Sequence, residues 1–273
     1  MPHFTTADGV RIYYEDEGAG LPLLCLAGLT RNARDFDFVA PHLDGVRMIR
    51  IDSRGRGKSG WADYKTYEVV QEARDALALL DHLGVAKAAV LGTSRGGLMA
   101  MLLAATAKER LLGVALNDVG PVIETAGLNA IKGYLGKAPP FATLAEAAED
   151  KMAHDPRFAN VPKARWITFL SHVYDETPEG LTITYDPKLY DAVAPGLEQP
   201  AMEAWPLFDA MAGLPVAVIH GANSDLLSAA TVAQMQDRHP GLIVAQVPDR
   251  GHIPFLDEPA ALAALAEWKG LMA

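Results

Sequence analysis

The sequence predicts an α/β fold, a mostly parallel sheet flanked by helices with one inserted helical segment. Short apolar runs alternate with helical patterns through the first 120 residues, which is typical of parallel strands joined by crossover helices. The alternation stops over residues 121–200 and resumes afterwards. The chain has 273 residues, of which half are apolar and 21% are charged. A chain of this size and composition buries a large core and is not disordered.

Each strand is indicated by an apolar run, and each helix by apolar residues at helical spacing. Before the insertion we expect strands at residues 11–15, 21–26, 46–51, 86–91 and 111–116, and helices at residues 67–83 and 95–107. After the insertion we expect strands at residues 215–219 and 242–247, and helices at residues 226–236 and 259–271.

The segment between the two halves of the sheet differs from both of them. Residues 121–200 show no strand of the same quality and hold nine of the 18 prolines. Large apolar side chains recur there among helical patterns, so the segment reads as an inserted helical module. We therefore divide the chain into a core domain, residues 1–120 and 206–273, and an inserted domain, residues 121–205.

Charge and cysteine content limit the classes of partner and location. The formal net charge of −10 argues against nucleic acid as a partner, because binding to phosphates needs a surplus of Lys and Arg. Cys25 is the only cysteine, which excludes an internal disulfide and a cysteine-based zinc site. No signal peptide or membrane-spanning run is visible. We expect a cytoplasmic protein that acts on a small molecule, without membrane association, and the oligomeric state is not predicted.

The strongest local signal is Gly-Thr-Ser-Arg-Gly at residues 92–96. It lies between a predicted buried strand and a predicted helix. A sharp turn there strains the backbone of the middle residue and requires small neighbours two positions away on each side. The hydroxyl of Ser94 would then stand above the carboxyl edge of the sheet. We predict that Ser94 is a nucleophile.

A serine nucleophile needs a base, and the base needs an orienting carboxylate. Of the eight histidines, His252 is the candidate, because it lies in the loop after the last strand, where loops at the carboxyl ends of parallel strands converge. Two acids also follow strands, Asp225 and Asp118. We select Asp225 and keep Asp118 as the rival.

The order Ser94, Asp225, His252 resembles that of α/β-hydrolase-fold serine esterases and lactonases with a helical cap. The resemblance covers essentially the whole chain. Residues 52–59 match the family's Asp-x-Arg-Gly-x-Gly-x-Ser turn, and residues 26–29 match its strand-end turn, with Ala27 where many relatives carry histidine.

The resemblance implies the remaining parts of an active site. The backbone N–H groups of Leu29 and Arg95 would form the oxyanion hole, and residues 121–205 would be the cap. The implied reaction is hydrolysis of a carboxylic ester or lactone of a small, largely apolar substrate through an acyl-enzyme. No metal or organic cofactor is expected. Thioester hydrolysis, C–C bond hydrolysis, cofactor-free haloperoxidase chemistry and a ligand receptor on the same fold remain alternatives.

Substrate contacts are predicted less sharply. Trp205, just before the sheet resumes, is expected to face the crevice. Arg31, Arg34 and Arg95 surround the predicted oxyanion side. Each of these arginines either binds a substrate carboxylate or is solvated or salt-bridged.

Overall fold

The computed structural model describes residues 2–197 and 203–272, so Pro200, at the end of the expected insertion, lies outside the described residues. The described residues form ten strands: β1 His3–Thr5, β2 Arg11–Gly18, β3 Leu21–Leu26, β4 Val46–Ile51, β5 Ala88–Thr93, β6 Leu111–Asn117, β7 Tyr174–Thr177, β8 Gly180–Ile183, β9 Val216–Gly221 and β10 Ile243–Val247. They also form nine α-helices: α1 Val69–His82, α2 Arg95–Thr106, α3 Thr125–Tyr134, α4 Leu144–His154, α5 Lys163–Ser171, α6 Leu189–Leu197, α7 Trp205–Asp209, α8 Ala229–Arg238 and α9 Pro259–Gly270.

Eight of the described strands form one sheet in the order β1-β2-β4-β3-β5-β6-β9-β10. The pairs β1–β2 and β2–β4 are antiparallel, and the others are parallel. This arrangement confirms the predicted α/β fold. The parallel strands all end at one edge of the sheet, and β6 lies directly beside β5 there.

Helices cover both faces of the sheet because the strands are apolar on both sides. Leu24 and Leu26 of β3 pack on one face, in a core shared with α1, α2 and α8. Leu23 and Cys25 of the same strand pack on the other face, in a core shared with α9. Period-two alternation within one continuous apolar run therefore supplies both cores.

The chain between β6 and β9 forms α3–α7 and the antiparallel hairpin β7–β8. Helices were expected there, but the hairpin was not. Its strands have only four residues each, and β7 is partly or fully exposed along its length, so no apolar run indicates it. Phe158 and Trp166 are buried in a cluster of this segment, joined by Phe255 from the loop after β10.

Smaller differences concern one edge strand and the bounds of several elements. The three-residue edge strand β1 was not predicted. The helix expected at residues 226–236 begins at Ala229, because Ser228 is its N-cap and accepts a hydrogen bond from Thr231 N at 3.3 Å. Among the described helices, none combines the length and the apolar character that a membrane crossing requires.

Candidate active site

Ser94 occupies a strained turn between β5 and α2. Its backbone has φ 51° and ψ −117°, a conformation that is uncommon for a residue with a Cβ. The glycines around it permit the close approach of three elements. A Cβ on Gly92 would lie 2.5 Å from the carbonyl oxygen of Gly96, and a Cβ on Gly96 would overlap the carbonyl of Leu26 in β3. The Gly-x-Ser-x-Gly pattern therefore reflects steric need.

His252 lies in the loop after β10 and reaches Ser94. Its Nε2 is 2.9 Å from Ser94 Oγ. With the ring proton on Nδ1, Nε2 accepts a hydrogen bond from the serine hydroxyl. This is the geometry that a general base requires. The structure thus brings together the predicted nucleophile and the predicted base.

Asp118 is the carboxylate on the other side of the imidazole. It follows β6, is fully buried and has a left-handed backbone with φ 54°. Its Oδ2 lies 2.8 Å from His252 Nδ1. The carboxylate also accepts hydrogen bonds from Gly221 N at 2.8 Å and from Ser224 Oγ at 2.6 Å. These donors fix its orientation and satisfy a charge that has no access to water.

The selection of Asp225 as the partner of His252 is corrected by this geometry. The Asp225 carboxylate forms an ion pair with Arg157 of the inserted segment. Ser224, one residue earlier, donates a hydrogen bond to Asp118 Oδ2, the same oxygen that His252 Nδ1 contacts. The loop after β9 therefore supplies Ser224, which binds the carboxylate partner of His252. The aspartate of the same loop, Asp225, points toward the inserted segment.

Trp205 also differs from its prediction. Its side chain packs against the core that the sheet shares with α1, α2 and α8. The ring contacts Phe208 at a centroid distance of 6.0 Å and lies under the guanidinium of Arg238 at 4.6 Å. It is absent from the described walls of the cavities at Ser94. Trp205 anchors the short helix α7 and does not face the crevice.

Leu29 and Arg95 flank Ser94, where the oxyanion donors were expected. Both line a cavity that contains Ser94. Arg95 begins α2, and amides of the first helical turn have no acceptor within the helix. The carbonyl of Leu29 accepts a hydrogen bond from Arg56 Nε at 2.9 Å, which fixes the peptide between Leu29 and Thr30.

The side chain of Arg95 faces away from the cavity toward a buried carboxylate. Its Nε lies 2.7 Å from Glu72 Oε2, and Arg56 Nη1 lies 2.7 Å from Glu72 Oε1. Burial alone would raise the pKa of Glu72, but the two guanidinium groups outweigh it and lower that pKa. This cluster ties α1 to the turns that carry Leu29 and Arg95.

Two cavities meet at Ser94. The polar lobe has a volume of about 240 Å³, and its polar lining side chains include Thr30, Arg31, Tyr134, Lys151, Tyr174 and His252. The apolar lobe has a volume of about 140 Å³, and most of its wall is aliphatic, formed by Leu98, Val119, Ile123, Leu128, Val193 and Leu226. Leu29 and Ile131 border both lobes.

Several residues at this site were missed by the sequence analysis. Tyr134, Lys151 and Tyr174 come from the inserted segment, where no motif marks them. Ser224 was not predicted as a site residue. Arg34 points away from Ser94 and donates to the Ser171 carbonyl at 2.8 Å. Within the described residues, no three His, Cys, Asp or Glu side chains come together as ligands of a metal ion.

Known proteins resemble the chain over nearly its whole length. A solved α/β hydrolase from Novosphingobium aromaticivorans superposes with a TM-score of 0.91 at 36% identity, covering 99% of this chain and 97% of that one. A 3-hydroxybutyrate-oligomer hydrolase from Cupriavidus necator is 36% identical over 88% of this chain and 85% of its own length.

A 2-(acetamidomethylene)succinate hydrolase from Mesorhizobium japonicum is 26% identical over 89% of this chain and 85% of its own length. The model of the alpha/beta hydrolase family matches residues 23–265. This span includes Ser94, Asp118 and His252. The chain therefore belongs to the alpha/beta hydrolase family.

Proposed function

We propose that the chain is a serine hydrolase that cleaves carboxylic esters, with Ser94 as nucleophile, His252 as general base and Asp118 as orienting acid. One observation carries the proposal. The hydrogen bonds from Ser94 Oγ to His252 Nε2 and from His252 Nδ1 to Asp118 Oδ2 form a continuous chain of 2.9 Å and 2.8 Å contacts. This chain of contacts begins at Ser94, which lines two cavities, and ends at the buried carboxylate of Asp118.

The chemistry follows from these contacts. Ser94 Oγ attacks the ester carbonyl carbon while His252 Nε2 takes the hydroxyl proton, and Asp118 stabilises the imidazolium. The backbone N–H groups of Leu29 and Arg95 donate to the oxyanion, a contribution of roughly 3–4 kcal/mol for each donor. His252 then gives its proton to the leaving alkoxide. Water, activated by the same histidine, hydrolyses the acyl-enzyme.

We assign residues 121–205 the role of a cap. Described residues of this segment form part of the walls of both lobes beside Ser94, among them Ile131, Tyr134 and Tyr174. Such a cover limits water at the reacting carbon and sets the size of the substrate. The cavity volumes favour a small ester over a long-chain lipid.

The substrate class that we favour is a short oligoester of a hydroxy acid. The relative from Cupriavidus necator is named for hydrolysis of 3-hydroxybutyrate oligomers. In a linear dimer of that acid, the acyl part is a short hydroxybutyryl group, the less polar half, which suits the apolar lobe. The alcohol part carries the free carboxylate and suits the polar lobe. This match between the two lobes and the two parts of one ester supports the assignment.

The test uses p-nitrophenyl butyrate and the linear 3-hydroxybutyrate dimer as substrates. Ser94→Ala is expected to lower kcat by at least about 10⁵-fold, to lose the acyl-enzyme mass seen with the wild type, and to keep its melting temperature. Ser171→Ala in the inserted segment is the control. Full activity of Ser94→Ala would refute the nucleophile. Stabilisation of the wild type by the dimer without any turnover would favour a receptor instead.

A further inference from the structure

The polar lobe presents positive charge to the space beside Ser94. Its described walls include Arg31 and Lys151 and no aspartate or glutamate. The acids that pair with these cations are placed outside the lining. Asp35 is buried behind Arg31, and Asp155 lies beside Lys151 at 3.2 Å. A ligand in this lobe therefore meets two cations and no facing carboxylate.

Arg31 is held in a fixed orientation. Its guanidinium forms an ion pair with Asp35 and lies 3.8 Å from the centroid of the Phe169 ring. Only 12% of the Arg31 side chain is exposed, so a bound anion would interact with it in a poorly hydrated site. Nε and Nη2 of this guanidinium are engaged by Asp35 and by the Phe169 carbonyl, so Nη1 is the nitrogen that remains to donate to a bound carboxylate.

Hydroxyl groups complete the lobe. Tyr134 is 44% exposed overall, but its hydroxyl hydrogen-bonds with the side chain of Thr30, and desolvation at that end raises the pKa of the phenol. Burial likewise raises the pKa of Tyr174. Both phenols therefore stay protonated at neutral pH and are able to donate hydrogen bonds. The lobe thus combines two cations with neutral donors, which is the chemistry that recognises a carboxylate.

The position of His252 indicates how the two parts of the ester are oriented in the site. The imidazole lines the polar lobe and is absent from the described walls of the apolar lobe. The histidine that protonates the leaving alkoxide must contact its oxygen. The alcohol part of the ester therefore lies in the polar lobe, and the acyl part lies in the apolar lobe.

We propose that Arg31 and Lys151 bind a free carboxylate on the alcohol part of the substrate, so that the enzyme removes the carboxyl-terminal unit of a hydroxy-acid oligoester. The inference rests on the proposed function and deepens it. The bond from Ser94 Oγ to the acyl carbon forms as the ester C–O bond breaks. The serine proton passes through His252 to the hydroxyl of the released hydroxy acid. Water then frees the shortened acyl chain.

The first experiment compares the linear 3-hydroxybutyrate dimer with its methyl ester, which lacks the free carboxylate. The reaction followed is cleavage of the internal ester, measured as 3-hydroxybutyrate or methyl 3-hydroxybutyrate released. For the wild type we expect kcat/KM to be roughly 10- to 100-fold higher for the acid than for the methyl ester, because a charged hydrogen-bonding partner is lost.

The second experiment measures the same ratio in variants. Lys151→Gln and the double variant Arg31→Gln/Asp35→Asn should each move the ratio toward one, mainly through a higher KM for the acid. The double variant avoids leaving Asp35 buried without its partner. The matched controls are Lys163→Gln and Arg34→Gln, whose cations pair with Glu149 and the Ser171 carbonyl away from the lobe. Both controls should keep the wild-type ratio.

The outcomes separate the two proposals. A wild-type enzyme that cleaves acid and methyl ester equally well, or prefers the methyl ester, overturns the carboxylate site while Ser94-dependent hydrolysis stands. An unchanged ratio in both the Lys151 and the Arg31/Asp35 variants also overturns it. Absence of Ser94-dependent cleavage of any of these esters refutes the proposed function itself.

Discussion

The imidazole of His252 is held from β6 and not from β9: its Nδ1 lies 2.8 Å from Asp118 Oδ2. β6 is the direct neighbour of the strand that carries Ser94, whereas β9 is one strand further along the sheet. Neighbouring strands are about 4.8 Å apart, so an acid directly at the end of β6 is close to the imidazole. Asp225, four residues beyond the end of β9, instead reaches Arg157.

Asp118→Asn is therefore expected to lower kcat by up to about 10⁴-fold, because an amide at this position favours the wrong tautomer of the imidazole. Asp225→Asn should change kcat by less than about tenfold. Its main effect should be to weaken the ion pair that joins Arg157 of the inserted segment to the loop after β9. Steady-state kinetics and melting temperatures of the two variants provide the measurement. A large kcat loss confined to Asp225→Asn would reverse the assignment.

Gly96→Ala should prevent the turn at Ser94 from closing, because the added Cβ would overlap the Leu26 carbonyl. We expect loss of soluble folded protein or of at least several kcal/mol of stability. Gly133→Ala is the matched control, since a Cβ at Gly133 in α3 meets nothing within 4 Å. It should gain up to about 1 kcal/mol. A Gly96→Ala variant with wild-type melting temperature and activity would contradict the steric explanation.

Glu72→Gln should destabilise the fold by about 3–5 kcal/mol, because it leaves the Arg56 and Arg95 guanidiniums without their buried counter-charge. It should also lower kcat, since Arg56 holds the Leu29 carbonyl. Urea unfolding and kinetics test both effects. The control is Asp209→Asn, which removes an exposed pair with Arg238 and should cost far less stability than Glu72→Gln, because water screens exposed ion pairs. Equal losses in the two variants would argue against a special role for the buried cluster.

His172 is expected to make the fold less stable in acid. Burial, with Arg31 and Arg34 nearby, lowers its pKa to about 3. Its ring nitrogens lie 3.9 Å from Asp35 and 4.0 Å from Asp37. Between its unfolded pKa near 6.5 and pH 3 the unfolded chain binds a proton that the folded chain does not. The free energy of unfolding is therefore unaffected by His172 above pH 6.5. As pH falls below 6.5, it decreases by up to about 1.4 kcal/mol per pH unit because of this group.

Urea unfolding of the wild type and His172→Gln from pH 8 to pH 4.5 isolates this contribution. The raised pKa of Asp52, about 6 and caused mainly by burial, acts in the opposite direction but is common to both proteins. The difference between the two stability curves should therefore shrink as pH falls below 6.5. Parallel curves across that range would show that His172 does not titrate as described.

The sequence by itself determined the features that depend on local chemistry. The alternation of apolar runs identified the α/β fold, and the glycines at residues 92, 96 and 97 marked the strained turn at Ser94. His252 could be singled out because loops after parallel strands converge at one edge. These signals are readable because each depends on residues that are close together in the chain.

The tertiary structure alone decided which side chains meet. The choice between Asp118 and Asp225 depended on the strand order and on a turn that places Ser224 against the Asp118 carboxylate. Arg31 faces the polar lobe while Arg34, three residues later, faces Ser171. Tyr134 and Lys151 of the inserted segment line the cavity at Ser94, and Trp205 packs elsewhere. Such contacts join positions far apart in the sequence, so their geometry follows from the packing of the whole chain and not from any local pattern.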